Sequence, residues 1–237
     1  TGNYNPKTAR VYTDLGLLTD DSTLTADVTD LFNVLTGVAR KDAYRRLLVA
    51  PVSLRSGILR LIAQEVERHR EHGDGRIVMK VNSIVDPGII DALYGASQVG
   101  VPVDLIVRGM CSLVPGKPGV SQTIAVRSII GRFLEHSRIL CFGAGERERF
   151  LIGSADMMER NLDRRVEALV PVDEPALQDR LRTILQVMLR DDRRAWSLDA
   201  DGEWRRVESL VETPSALDTF QVLAGLAAAR ADQYPAP

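Results

Sequence analysis

Apolar positions along the chain recur in two rhythms, and the switches between them lay out its elements. Short alternating or wholly apolar runs predict strands at 10–13, 47–50, 77–81, 103–107, 123–128, 137–142, 149–152 and 166–171. Helical spacing predicts a helix over 24–35 that stops at Gly37. A second is capped by Ser53 and carries Leu54, Ile58, Leu61, Ile62 and Val66 on one face, then runs out in the polar stretch 67–75. Residues 77–107 read strand, helix (87–99), strand, with Gly100 where a helix C-cap belongs. Further helices are expected at 173–190 and 214–230, and a hairpin over 196–206 turns at Asp201-Gly202. A loop at 108–120 carries Pro115, Gly116, Pro118 and Gly119, and loops of that length inside a domain tend to be functional. The pattern as a whole is that of an α/β protein.

Composition narrows the partners. The 237 residues suffice for one large or two small domains, and 45% hydrophobic with 26% charged is ordinary for a globular chain. With 30 basic against 32 acidic residues the net charge is -2, which argues against nucleic acid; any bound anion must be met by locally focused charge. Cys111 and Cys141 have neither metal-site nor disulfide-framework spacing. No apolar run approaches the ~20 residues of a membrane span, and no signal-peptide pattern is present, so a cytoplasmic location is expected. The chain begins at Thr1 inside a turn-like Thr-Gly-Asn-Tyr-Asn-Pro, which reads as a cut rather than a natural start.

Focused charge is found at 131–167. His136, one of three histidines, precedes an apolar run, and the turn Gly153-Ser154-Ala155-Asp156 is followed by Arg160, Arg164 and Arg165. The start of the chain repeats this segment. Thr1 and Ser154, Asn3 and Asp156, Lys7 and Arg160, and Asp14 and Glu167 are each 153 positions apart. In both copies the acid is expected to close a short β-like run, at 11–14 and 165–167. A turn of small residues exposes backbone N–H groups that can cradle an oxyanion. His136 lies eighteen residues before Ser154. Equal spacing would put the first copy's histidine roughly twenty residues before Thr1, off this chain.

His-x-Arg, then Gly-Ser-x-Asp-x-x-x-Arg and a closing Glu, resembles the phospholipase D superfamily, which pairs two such halves around one phosphoryl-transfer site. The blocks "TGNYNPKTARVYTDLGLLT", "KVNSIVDPGIIDALYGASQVGVPVDLIVRGMCSLVPG", "RSIIGRFLEHSRI" and "GSADMMERNLDRRVE" are similar to the C-terminal region of bacterial polyphosphate kinases. The resemblance implies a phospholipase D-like mixed sheet flanked by helices. It also implies the tail of a first catalytic domain at 1–47 and a complete second domain at 48–237. The activity implied is reversible transfer of the terminal phosphate of ATP to polyphosphate, through a phosphohistidine upstream of this chain. ATP or ADP and polyphosphate are then the partners, with Mg2+ held mostly by residues outside this chain. A homo-oligomer, possible association with the inner membrane and inactivity of this chain alone are implied as well. Tyr12, Arg108 and His136 match nucleotide- or phosphate-contacting positions, His136 as a second catalytic histidine. Arg138 replaces the superfamily's lysine, and Gly143 stands where its aspartate is expected, which argues against phosphodiester hydrolysis.

The residues themselves leave alternatives open. His136 can give a proton or hydrogen bond to a phosphoryl group, or be a strand-end histidine satisfied by backbone. Arg108 ends a strand at the carboxyl edge of a βαβ unit, where it can grip phosphate, or it can pair with Asp104. Tyr12 can stack on a base or belong to the core. Arg127, Arg138, Arg160, Arg164 and Arg165, with Lys7 through its pairing to Arg160, form a polyphosphate-facing group of which strand alternation turns about half away. Asp156 and Glu167 are expected to orient these cations, and Asp163 to be structural. His69 and His72 fit a helix end better than a metal site. The loop at 108–120 lacks the spacing of a P-loop. Two other functions stay open: a phosphodiesterase dimer using His136 twice, and a non-catalytic polyphosphate-binding module.

Overall fold

β3 (Ile77–Val81) and β7 (Arg138–Phe142) are buried along their whole length, as strands covered on both faces must be. They sit at the centre of the computed structural model, which describes residues 5–212 and 215–233. The chain-start partners of the repeat, Thr1 and Asn3, lie outside the described residues. β3 pairs in parallel with β4 (Val103–Val107), and β4 in parallel with β5 (Ile124–Ile129). On the other side β7, β8 (Arg149–Gly153), β9 (Glu167–Val172) and β2 (Leu48–Ala50) follow, each antiparallel to its neighbour. The hairpin of β10 (Ala195–Leu198) and β11 (Trp204–Arg206) extends the far edge, giving one mixed nine-stranded sheet.

Strand parity sorts the core onto two faces. Met79, Leu105, Leu140 and Phe142 point to α2 (Leu54–His72) and α3 (Pro87–Gln98), packing with Ile58, Ile62, Ile89 and Leu93. Val78, Ile106, Ile129, Ile139 and Cys141 point the other way, to Leu181, Leu185 and Met188 of α5 (Pro175–Arg190). Each such aliphatic side chain contributes about 1.5–3 kcal/mol when fully buried, so these two layers hold the fold. The mixed sheet flanked by helices is thus as expected. α6 (Thr219–Gln233) starts later than its apolar pattern indicated and lies on α5, with Phe220 buried in the second layer.

Local chemistry explains where boundaries differ from the sequence reading. α1 (Ser22–Leu35) starts under Asp21, whose carboxylate accepts from Leu24 N at 2.7 Å. Ser53 occupies the N-cap position of α2, but its hydroxyl accepts from Val49 N at 3.1 Å and leaves the helix uncapped. α2 does not fray at 67 but continues to His72, with Arg68 bonded to Asp74, and ends at the left-handed Gly73. His69 and His72 accordingly lie in its last turn. The strand expected at 10–13 keeps only β1 (Tyr12–Thr13), because the amides of Val11 and Tyr12 turn back onto Thr8 O. β1 pairs in parallel with a short unforeseen strand, β6 (Leu134–Glu135), and this ribbon carries the start of the chain to His136. The five-residue α4 (Glu159–Asp163) was also unforeseen. Glu167 opens β9 instead of closing a strand, so only Asp14 follows the repeat in that respect. Among the described residues no helix is long and apolar enough to cross a membrane.

Candidate active site

The ends of β3, β4 and β8 and the starts of β7 and β9 meet at one edge of the sheet, because the strand directions reverse between β3 and β9. A cavity of about 470 Å³ opens there, lined by Tyr12, Asn82, Arg108, His136, Arg138, Asp156, Arg160, Arg165 and Glu167 among others. Tyr12 from the start of the chain and residues from 82–167 therefore face one space.

His136 is held by side chains, not by backbone alone. Its Nδ1 lies 2.9 Å and 3.2 Å from the two carboxylate oxygens of Asp14. A carboxylate only accepts, so Nδ1 carries the hydrogen and Nε2 keeps the lone pair. The Tyr12 ring meets the imidazole edge-on, with centroids 4.8 Å apart. Arg138 Nη1 is 2.9 Å from Nε2 and 3.3 Å from Nδ1. A donor that close to both ring nitrogens stands over the ring face, not in line with either lone pair, so we do not count it as a bond to Nε2. Burial pulls the His136 pKa below its ordinary value, with Arg138 and Arg108 adding to the fall and Asp14 opposing it. The site therefore holds a neutral imidazole at pH 7. Replacing Asp14 by asparagine removes the hydrogen bond and the charge that oppose the fall, so the His136 titration is expected to move to still lower pH. Imidazole NMR of the 237-residue chain checks this, and an unmoved midpoint would mean that the Asp14 contact does not govern the ring.

The basic residues divide sharply. Arg108 does not pair with Asp104, which is taken by Arg76 at 2.8 Å. Its Nε donates instead to Asn82 Oδ1 at 2.9 Å, which aims the guanidinium and leaves it without a carboxylate among the described residues. Arg160 lines the cavity, exposed and likewise without an acidic partner among the described residues. Arg138 also lines the cavity. Buried, it gives Nη2 to Asp156 at 2.9 Å, so its charge is consumed within the protein. Arg127 lies on the opposite face, bonded to Met188 O at 3.2 Å beneath α5, because it shares strand parity with Ile129. Arg164 pairs with Glu159 outside the cavity. Arg165 lines the cavity within 3.8 Å of Glu167. Lys7 is exposed on the turn before β1 and does not line the cavity.

Asp156 does the orienting expected of it, taking Asn82 N at 2.7 Å as well as Arg138. Glu167 accepts from Asn161 Nδ2 at 2.7 Å. Asp163 is structural, paired with Arg55. The Ser154 turn is no open cradle. Its amide donates to Ala168 O, its hydroxyl accepts from Ala168 N at 3.2 Å, and Met157 N donates to Ser83 O. The carboxylates in the cavity are committed to cations and amides, and the described residues contain no cluster able to cage a metal ion. They do not fit as a magnesium site. Burial raises the pKa of both cysteines, Cys141 to about 12, which makes them inert.

Asn82 and the Asp14 contact were not legible as site features. Asn82 follows an apolar strand, and a residue just past the carboxyl end of a parallel strand is a recognisable signal. The Asp14–His136 contact spans 122 positions, and only the repeat marked Asp14.

Comparison with known proteins accounts for this arrangement. Residues 47–217 match the family described as polyphosphate kinase C-terminal domain 2, and residues 1–41 that described as polyphosphate kinase C-terminal domain 1. The chain is 55% identical over 206 residues to the polyphosphate kinase of Streptomyces coelicolor, covering 87% of this chain and 28% of that protein. It is 53% identical over 228 residues to that of Synechocystis sp., covering 94% of this chain and 31% of that protein. The crystal structure of polyphosphate kinase from Porphyromonas gingivalis superposes with a TM-score of 0.90 at 37% identity, covering 98% of this chain and 36% of that one. The chain thus spans about three tenths of the length of the curated relatives it matches. It belongs to the polyphosphate kinase family, and what it spans is the C-terminal region of that family.

Proposed function

We propose that this chain supplies one wall of a phosphoryl-transfer site in a protein that moves the terminal phosphate of ATP to polyphosphate and back. In this reading residues 1–47 close a preceding catalytic domain, and 48–237 form the domain that follows. The observation that carries it is one cavity holding a histidine fixed through Nδ1 on Asp14, beside two guanidiniums, Arg108 and Arg160, that no carboxylate neutralises among the described residues. Phosphoryl transfer needs little covalent help from the protein beyond positioning and charge stabilisation. Arg108, aimed by Asn82, supplies charge toward the non-bridging oxygens, and His136 presents Nε2 for proton exchange with the reacting group.

The repeat supports an acceptor outside the chain. Asp14 holds the histidine of the other half, and its counterpart Glu167 lines the same cavity. By this symmetry Glu167 is where an upstream histidine would be held. Magnesium belongs to the proposal through the resemblance, as charge neutralisation for phosphate, with ligands outside the described residues.

The aspartate expected in the superfamily pattern has no room in this chain. Gly143, at the position of the superfamily's aspartate, has φ +97, and a Cβ there would lie 2.6 Å from Arg147 O. It also lies at the far end of β7 from His136. The test is autophosphorylation. With γ-labelled ATP and magnesium the full-length protein is expected to form an acid-labile phosphohistidine, and the 237-residue chain to form none. Label on a histidine of the isolated chain overturns the upstream acceptor. Cleavage of a phosphodiester reporter that disappears in His136→Ala would establish the phosphodiesterase instead.

A further inference from the structure

A lysine stands inside the buried run of β3, beneath the histidine. Lys80 is 2% exposed and among the largest of the fully buried side chains. Its ammonium has three hydrogens and three acceptors: Glu135 O at 3.2 Å, Ser137 O at 2.7 Å and Ser137 Oγ at 2.9 Å. These belong to the residues on either side of His136. The Glu135 carboxylate, 3.7 Å away, supplies the counter-charge. Two positions along the chain, Asn82 Nδ2 reaches His136 O at 3.4 Å. The end of β3 therefore holds the backbone of three consecutive residues from below.

We propose that Lys80 is a positioning residue for His136: its buried ammonium clamps the carbonyls flanking the histidine and fixes the direction in which Nε2 enters the cavity. The proposal rests on His136 being the working histidine of the phosphotransfer reading. A structural lysine far from any site would be replaceable by an apolar isostere, and buried charges often are. This one spends every hydrogen on the segment that carries the histidine. Its protonation is also within reach. Burial pulls its pKa down to about 8, with Arg138 and Arg108 adding to the fall and Glu135 and Asp14 opposing it. On the α5 side the small gap beside it is lined by apolar Met188, which offers no further charge. A neutral amine has one donor fewer, so the clamp loosens as pH rises through about 8.

The experiment is the pH dependence of phosphate transfer in the full-length protein, with Lys80→Met, Glu135→Gln and His136→Ala beside it. Lys80→Met is expected to lose kcat about ten- to a hundredfold, as a misplaced catalytic group does, with KM for ATP within about twofold. In the parent protein kcat falls above about pH 8. That limb is expected to vanish in Lys80→Met and to move to lower pH in Glu135→Gln, which removes the charge that holds the ammonium protonated. Parent-like kcat in a cooperatively melting Lys80→Met, or an unmoved limb in Glu135→Gln, overturns the proposal. If Lys80→Met fails to fold, the Glu135→Gln profile decides alone. His136→Ala separates the two readings: if it leaves kcat intact, the phosphotransfer reading has failed and not merely the role of Lys80.

Discussion

His136→Ala in the full-length protein is expected to lower ATP-dependent phosphate transfer by about two to four orders of magnitude, the range lost when a positioned acid–base group is removed. The loss is chemical, not structural. The side chain is 23% exposed and outside both apolar layers, so its removal opens no core cavity and the melting temperature should stay close to that of the parent. What disappears is an imidazole held in one tautomer by Asp14, with Nε2 available to the cavity. The pH profile separates this from general damage. Burial holds the His136 pKa below the ordinary value, so the neutral, active form persists as pH falls through the usual imidazole range and is lost only on the acid side of it. The acid limb of kcat should therefore lie lower than for an exposed histidine and be absent in His136→Ala. His136→Gln, which keeps a hydrogen-bonding amide but cannot exchange a proton, should recover little. Retention of a tenth or more of the parent kcat in His136→Ala would remove the histidine from the mechanism.

The parts of this site that periodicity could locate were those whose neighbours lie close in sequence. The strand–helix–strand unit over 77–107 put Arg108 at the carboxyl edge of a parallel strand, and it stands there. The amphipathic face of 175–190 declared its helix because Leu181, Leu185 and Met188 recur at helical spacing. What escaped depends on contacts across most of the chain. Tyr12 and Leu134 pair over a separation no local pattern records, and their ribbon is two residues long on each side. Which of the arginines keeps an uncommitted charge was illegible for a different reason. Arg138 and Arg160 look alike in sequence, yet one is buried against Asp156 and the other is exposed at the cavity, because strand β7 begins with Arg138 pointing inward. Arg127 could have been set apart by alternation, since Ile129 two positions on is core of the α5 layer. In sequence Lys80 is simply one polar residue in an apolar strand. A lysine in a strand buried on both faces has to be given acceptors, and finding them leads to the backbone around His136.

Arg108→Ala is expected to cost about 10²–10³-fold in kcat/KM, the loss typical of removing a preorganised donor from an oxyanion-stabilising position. Its effect should exceed that of removing Arg138 or Arg165 as charges on the ligand, because those two stand beside Asp156 and Glu167. Arg108 keeps its charge for the cavity: one nitrogen is spent on neutral Asn82, and the rest of the fork is left to bind oxygen. Lysine at this position restores a point charge but loses both the Nε contact that aims the group and the bidentate grip, so Arg108→Lys should regain only part of the loss. A guanidinium does not titrate in the working range, but its charge helps to lower the His136 and Lys80 pKa values. Arg108→Ala should therefore lower the whole pH profile and move both limbs to higher pH, whereas His136→Ala abolishes the acid limb and Glu135→Gln moves the alkaline one to lower pH. The partner left behind, Asn82, is buried but neutral, so the cost to folding should be about 1–3 kcal/mol, less than that of stranding a buried carboxylate. The measurement is steady-state kinetics across pH in the full-length protein, paired with polyphosphate binding by the 237-residue chain. Binding should weaken in Arg108→Ala and survive in His136→Ala, because the anion is held by charge and the histidine there is neutral. If Arg108→Ala retains kcat/KM within about threefold of the parent, the unneutralised guanidinium is not what stabilises the transferring phosphoryl group, and Arg160 would have to carry that charge instead.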